Sequence, residues 1–397
     1  MKHHQRISTL QDLITVLFFG FAICLPTIGL VFRWHVMNEQ DENRKLAGAP
    51  SIPSTREAIA NFPAAFTAYF NDNFGFRPIL IKSKARIELG VFGISPSPLV
   101  IVGKNGWWFH SSEYSATGTH LVPTLTAKQL EDWKKLLEGR RDWLAQRNIR
   151  YLFTIVPRKE VIYPEYLPDS FRPQEESRYE QLTTYLRKYS DVQILDLRPA
   201  LYQAKARHLV HYKNDSHWNF YGGLAGYQVI ITELNKTFPQ MMLVTESDCG
   251  VRIERRESDL AKLVGLAGQI SEDDPVLYLR QRSFSFTNSP ITVVEKPARA
   301  LATERKETNL PRLVVFDDSA GRALVPFLPQ HFSRAVFVFI SKLDPVLIEA
   351  EKPDIVIQEI GEMVLSTSTS PDLTELEDLK SGGKGRAIIK YVPTERR

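Results

Sequence analysis

Leu313-Val-Val-Phe-Asp-Asp-Ser-Ala-Gly321 is the stretch on which the fold turns. Its first four residues are apolar without alternation, which suits a strand buried on both faces of a parallel sheet. Ala323, Leu324 and Phe327 predict a helix beginning soon afterwards. A serine at such a strand-to-helix turn is exposed at the carboxyl edge of the sheet, where ligand sites of open α/β sheets lie. Backbone N–H groups near Ala320–Gly321, at the helix N-terminus, are then the expected donors to an oxyanion. The same residues also suit a plain helix start, with Asp317, Asp318 and Ser319 serving only as capping residues.

Strands of the same kind recur on either side. Tyr151-Leu-Phe-Thr-Ile-Val156, Val192-Gln-Ile-Leu195, Ala335-Val-Phe-Val-Phe-Ile340 and Asp354-Ile-Val-Ile-Gln358 are short and largely apolar. Between them lie helical patterns: Leu130, Trp133, Leu137 and Leu144 behind a Thr126/Gln129 capping box, then Tyr179, Leu182 and Leu186. This alternation predicts an α/β doubly wound parallel sheet. The stretch 241–311 is less patterned and is expected to be a less regular insertion. Val100-Ile-Val-Gly-Lys-Asn-Gly-Trp-Trp-Phe109 reads as a hairpin turning at Lys104–Gly106.

Tyr212-Lys-Asn-Asp-Ser-His-Trp-Asn219 carries the most suggestive chemistry. If this segment is extended, Asp215 and His217, two positions apart, project to one side. A carboxylate that orients an imidazole is two thirds of a nucleophile-activating relay. Asn219 is placed to cap a helix built on Leu224, Tyr227, Ile231 and Leu234. The plainer reading is a polar loop with an exposed histidine. His208, His211 and His217 also give a spacing that invites zinc, but no carboxylate motif accompanies the first two, and the expectation is no metal.

Leu13 to Phe32 is a run of 20 residues without a charge. At about 1.5 Å per residue it spans a hydrocarbon core of about 30 Å. Lys2 and Arg6 precede it and Glu39, Asp41 and Glu42 follow, favouring the N-terminus inside. We read it as an uncleaved signal anchor rather than a cleaved signal peptide. The expected organisation is therefore a cytoplasmic tip and transmembrane helix over 1–37, a polar spacer over 38–56, and an extracytoplasmic domain over 57–395. Ala58, Phe62, Phe66, Tyr69 and Phe70 read as a core-packing helix ending at Asn71-Asp-Asn-Phe-Gly-Phe-Arg77 with a glycine C-cap.

Net charge is only +4 and no long basic run or phosphate-cradling glycine loop occurs, which argues against nucleic acid or nucleotide as ligand. Two cysteines, Cys24 within the apolar run and Cys249 alone beyond it, offer neither a disulfide framework nor a C-x-x-C site.

Taken together the motifs resemble the alginate O-acetylation proteins of the AlgJ/AlgX type, whose domain is SGNH-hydrolase-like. The segments that carry the resemblance, in order, are Asn71–Arg77, Val102–Trp107, Val156-Pro-Arg-Lys159 with Tyr163-Pro-Glu165, Asp215-Ser-His-Trp218, Ser258-Asp-Leu-Ala261, Asp318-Ser319 and Lys352–Ile357. The resemblance implies a triad of Ser319, His217 and Asp215, no cofactor, and O-acetyl transfer to hydroxyls of an exported polysaccharide. It also implies a membrane-bound O-acyltransferase partner as acetyl donor, with the domain in the periplasm and the anchor in the inner membrane. Three positions depart from the family pattern: Asp317 stands where glycine is expected, Ala320 follows the serine, and Glu362-Met363 lacks the expected arginine. A carbohydrate acetyl esterase and a non-catalytic, polysaccharide-binding scaffold remain the rival readings. Trp107, Trp108, Trp218 and Tyr163 are read as packing residues rather than sugar-stacking ones. Arg158 and Lys159 are read as a solvated loop, with contact to an anionic sugar as the alternative.

Overall fold

The computed structural model describes residues 2–32, 34, 45–111, 123–171, 176–192, 194–367, 370–384 and 386–393. Parts of the expected tip and spacer (33, 35–44) and the last expected domain residues (394–395) lie outside them. The chain forms two compact units: Met1–Val102 with Glu257–Ile270, and Gly103–Arg256 with Ser271–Arg397.

The first unit begins with helix α1, Lys2–Val31, whose segment Leu10–Val31 has a mean hydropathy of 2.3 and is long enough to cross a membrane. Helices α2 (Arg56–Asn73) and α3 (Arg77–Gly90) follow. Here the expectation of a core-packing helix fails. None of the residues of α2 is buried, and the left-handed residue after it is Phe76 (φ 65°), not Gly75. Gly75 serves close approach instead, since a β-carbon on it would lie 2.3 Å from the Cα of Gly29 in α1. Ser258 caps a short helix, Asp259–Leu263, by accepting the amide of Ala261 at 2.9 Å.

The second unit is built on a seven-stranded sheet. Its strands are β1 (Arg150–Val156), β2 (Ile194–Asp196), β3 (Phe284–Thr287), β4 (Ala300–Arg305), β5 (Arg312–Asp317), β6 (Arg334–Phe339) and β7 (Ile355–Gly361). Their order is β2-β1-β7-β5-β6-β4-β3. The first five are mutually parallel, and β4 and β3 add antiparallel at one edge, so the sheet is mixed rather than wholly parallel. Both added strands come from the stretch 241–311, which holds five strands in all and is more regular than expected. Its strands carry more polar residues, as antiparallel edge strands tolerate, and so lack the apolar signature of the central five.

Register explains why the central strands are apolar throughout. Val314, Val336 and Val356 face one side together, with Phe316 and Val338, and there they meet Trp143 and Leu144 of α4 (Ala127–Ala145). Farther along the same face, Phe153, Ile155 and Ile360 meet Trp133, Leu136 and Leu137 of α4 and Tyr179, Leu182 and Leu186 of α5 (Arg178–Tyr189). The alternate residues Leu313, Val315, Phe337, Ile355 and Ile357 are buried on the opposite side. Both helices start with the capping boxes their sequences announce, Thr126 with Gln129 and Ser177 with Glu180. The turn Lys104–Gly106 is also as expected, with Asn105 and Gly106 at positive φ between the strands Val100–Val102 and Trp108–His110.

No α-helix follows β5. Two short 3-10 turns, Ala320–Leu324 and Leu328–His331, lead on to β6 instead. Pro326 and Pro329 lack the N–H groups that a continuing helix would need.

Candidate active site

Strand β5 delivers Asp317 to the carboxyl edge of the sheet, and Ser319 stands exposed two residues on. Asp318 braces this turn. One of its carboxylate oxygens accepts the amide of Ala320 at 2.8 Å and the other accepts the amide of Gly361, at the end of β7, at 2.6 Å. The Asp318 amide in turn donates to Glu359 Oε2 at 3.3 Å. Because Ala320's amide is thus engaged, it is not the free oxyanion donor the sequence suggests. The amide of Ser319 itself has no acceptor among the described residues.

The loop bearing Asp215 and His217 is bent rather than extended. Asp215 Oδ1 accepts both the backbone amide of His217 at 3.0 Å and its ring Nδ1 at 2.7 Å, so one carboxylate oxygen folds the loop and orients the imidazole. The other face of the ring points outward, with Nε2 2.8 Å from Ser319 Oγ. Sequence positions 215, 217 and 319 are therefore joined in one hydrogen-bonded line. Asn219 caps α7 (Phe220–Leu234) as expected, accepting the amides of Tyr221 and Gly222 at 3.0 and 3.2 Å.

Two cations that the sequence did not single out as supports hold this line in place. Arg256 Nε donates to Asp215 Oδ2 at 2.8 Å, while its guanidinium lies over the Tyr212 ring. Burial alone would raise the Asp215 carboxyl, but His217 and Arg256 together hold it well below the usual carboxylate range, so it is ionised. Lys159, read from sequence as part of a solvated loop, is 2% exposed. Its Nζ donates to the carbonyls of Tyr212, Lys213 and Asp215 at 3.1, 3.0 and 2.8 Å, tying down the loop's backbone. Arg158 is buried as well, against Glu160 at 3.0 Å. Its backbone amide reaches Glu362 at 3.0 Å, giving the Glu362-Met363 position a structural task. The sequence signal for both basic residues was their place directly after β1, at the same sheet edge as Ser319; what hid them was their charge, since lysine is rarely buried unless paired.

Aromatic residues behave as packing. Trp107 is buried and stacks on Tyr166 at 4.6 Å. Trp218 Nε1 donates to the carbonyl of Ala320 at 2.9 Å, linking the histidine loop to the serine turn. The histidines considered for zinc part ways: His208 pairs with Glu246 at 2.9 Å, and buried His211, pushed down to about 3 by desolvation, packs edge-on to Tyr163. His217 faces Ser319.

Beneath the serine turn lies an unusual acidic cluster. Asp317, in the position of the expected glycine, is buried, and its carboxyl oxygens have no hydrogen-bond partner. Burial pushes Asp317 up to about 7, against the pull of Arg299 and with the push of Asp318. Glu359 is raised well above its ordinary value, first by burial and then by Asp318 and Asp317. Room for the Asp317 side chain comes from Gly321: a β-carbon there would lie 2.3 Å from Asp317 Oδ2.

Above the turn the surface forms a shallow depression of about 20 Å³ lined by Tyr212, His217, Arg256, Ser319 and Arg322. A larger cavity of about 690 Å³, bounded by Met241, Leu279, Arg280, Arg305 and His331, contains none of these groups. His217 and Ser319 meet in the shallow one.

Comparison with known proteins places this architecture. The chain is 29% identical over 205 residues to the probable alginate O-acetylase AlgJ of Azotobacter vinelandii, covering 51% of this chain and 49% of that protein. It is 31% identical over 142 residues to the Pseudomonas putida protein of the same name, covering 35% and 34%. The chain thus spans about half the length, or less, of these curated relatives. Among solved structures, Bacillus cereus PatB1 with a sulfonyl adduct superposes with a TM-score of 0.51 at 16% identity, over 68% of this chain and 96% of that one, a likeness of fold. The O-acetyltransferase domain of Pseudomonas putida AlgJ gives a TM-score of 0.48 at 19% identity, over 72% and 99%. Residues 100–341 match the family described as the SGNH hydrolase-like domain of acetyltransferase AlgX, and the chain belongs to that family.

Proposed function

We propose that this protein is an O-acetyltransferase that acetylates hydroxyls of an exported polysaccharide through Ser319, His217 and Asp215. The observation that carries the reading is the continuous line from Asp215 Oδ1 through both ring nitrogens of His217 to Ser319 Oγ, at the carboxyl edge of the sheet. Membership in an acetyltransferase family supports the choice of acyl group.

In the first half-reaction Ser319 Oγ attacks the acetyl carbonyl of the donor and passes its proton to His217 Nε2. The C–O bond to the donor breaks and His217 returns the proton to the leaving oxygen, which leaves acetyl-Ser319. In the second half-reaction a sugar hydroxyl gives its proton to His217 Nε2 and attacks the ester; Ser319 leaves and recovers the proton. Asp215 keeps Nδ1 protonated and stabilises the imidazolium. The free amide of Ser319 is the donor we assign to the tetrahedral oxyanion. A shallow, open site suits a hydroxyl presented by a polymer better than a small molecule needing enclosure.

Acetyl-CoA is not expected outside the cytoplasm, so the donor in this reading is a membrane-bound O-acyltransferase that hands acetyl groups across. Helix α1 acts as a single-pass inner-membrane anchor, retained rather than cleaved, which keeps the periplasmic domain beside that partner.

The test is to offer the purified full chain, in mild detergent, a nitrophenyl acetate with and without an oligosaccharide acceptor, beside Ser319→Ala and His217→Ala. Acetylated oligosaccharide from the parent alone supports transfer by this serine. Donor hydrolysis that no acceptor diverts makes the protein an esterase. Three equally inert, folded proteins would move the scaffold reading to first place.

A further inference from the structure

The helices α2 and α3 take no part in the chemistry above, yet they carry a run of exposed apolar side chains. Phe62, Phe66, Phe70 and Phe74 follow at i, i+4 spacing and stack ring on ring, with centroids 6.0, 6.4 and 6.0 Å apart. They form a ridge along a helix that buries none of its residues, with Phe66 exposed and the other three half-buried. On α3 and just beyond it, Ile79, Leu80, Ile87, Val91 and Phe92 are each 45–72% exposed. Soluble proteins rarely leave such a contiguous patch bare without a purpose.

What covers it follows from where the corner between the two helices is fixed. The amide of Gly75 donates to the carbonyl of Pro26 in α1 at 2.9 Å, and Gly75 lies against Gly29 closely enough to leave no room for a β-carbon on either. Phe76 packs edge-on to Trp34, which stacks on Phe32. Pro26 and Gly29 precede Val31, the last residue of the apolar span, by five and two positions. At 1.5 Å per residue the corner therefore sits about 3–8 Å inside the end of the span. Interfacial helices bury their apolar faces to a similar depth, about 5–10 Å into the boundary of headgroups and acyl chains. Charge agrees with the geometry: α3 bears Arg77, Lys82, Lys84 and Arg86 against Glu88 alone, the pattern that meets anionic headgroups.

We propose that the α2–α3 corner is a second membrane contact of this chain, seated in the interfacial layer of the bilayer that α1 crosses. Its occupant is lipid, with the phenylalanine ridge and Leu80 towards the acyl chains and the basic side chains towards anionic headgroups. The consequence is that the chain leaves the membrane from a fixed, wedged base rather than from a bare helix end. This rests on α1 being a membrane span, as proposed above.

The experiment uses the full chain with Cys249→Ser, reconstituted into vesicles of phosphatidylcholine and phosphatidylglycerol with no other protein present. An environment-sensitive thiol probe is placed on native Cys24, or, with Cys24→Ala, on Leu80→Cys or on the exposed surface site Lys188→Cys. Lipids carrying a nitroxide near the headgroup are expected to quench the Leu80 probe several-fold more than the Lys188 probe, with the reverse order for aqueous iodide. Lys82→Glu with Lys84→Glu is expected to weaken the lipid quenching at Leu80. If Cys24 is quenched from within the bilayer while Leu80 behaves like Lys188, lipid is not the occupant and the proposal falls with the anchor intact. If Cys24 is itself open to iodide, the anchor reading fails and takes this one with it.

Discussion

Replacing Asp317 by asparagine tests whether a charge is held under the Ser319 turn at a cost. Asp317 is buried, has no hydrogen-bond donor to its carboxyl oxygens, and is raised from 3.8 to about 7 by that burial. At 1.36 kcal/mol per tenfold change in acidity, the displacement corresponds to about 4 kcal/mol. The folded protein keeps a proton that the unfolded chain releases above its ordinary value. The stability associated with that proton is complete below about pH 4, falls as pH rises towards about 7, and is gone beyond it. Asparagine fills the same space and cannot ionise. Urea unfolding of parent and Asp317→Asn, measured at several pH values from 4 to 8, should show the parent losing about 4 kcal/mol more than the variant across that range. Glu359 titrates in both proteins but is raised in part by Asp317 itself, so the difference between the profiles reports Asp317 together with its coupling to Glu359. Parallel stability profiles would refute the reasoning and mean that water or movement relieves the charge.

Three further substitutions probe the surroundings. Lys159→Met leaves the carbonyls of Tyr212, Lys213 and Asp215 without their donor; we expect a loss of about 2–4 kcal/mol in chemical unfolding and a fall in kcat exceeding the change in KM. A kcat unchanged in the folded variant would show that the loop does not depend on this tie. Arg256→Leu removes one of the two groups that hold Asp215 low and in place, so kcat should fall more than KM changes; an unchanged kcat in the folded variant would mean that His217 alone suffices to hold Asp215. Gly321→Ala forces a β-carbon onto Asp317 and should destabilise by about 1–3 kcal/mol, a loss largely recovered when Asp317→Gly is added. Additive effects of the two changes would contradict the packing argument.

The central sheet was legible because a parallel strand buried on both faces writes itself as an unbroken apolar run, as Leu313–Phe316 and Ile355–Ile357 do. The capping residues Thr126 and Asn219 were legible for a similar reason: a short-range hydrogen bond needs only a short-range pattern. What escaped was long-range. Lys159 reads as a surface lysine until three carbonyls more than fifty positions away are folded around it. Arg256 meets Asp215 across 41 positions, with nothing between them in sequence to signal the pair. The helix expected after Ser319 failed on a signal that was present, since Pro326 and Pro329 forbid it, but the apolar spacing of Ala323, Leu324 and Phe327 spoke louder. The α2 stripe misled in the opposite sense. A row of phenylalanines at helical spacing demands an apolar environment, and periodicity cannot say whether protein or lipid supplies it. The proposal of lipid rests on the place where Gly75 meets Gly29, because the contact fixes the stripe's end to a position along α1. Asp317 completes the contrast: as a local pattern it is a departure from glycine, but beside Gly321 it is one half of an exchange in which the space given up at one position is used at the other.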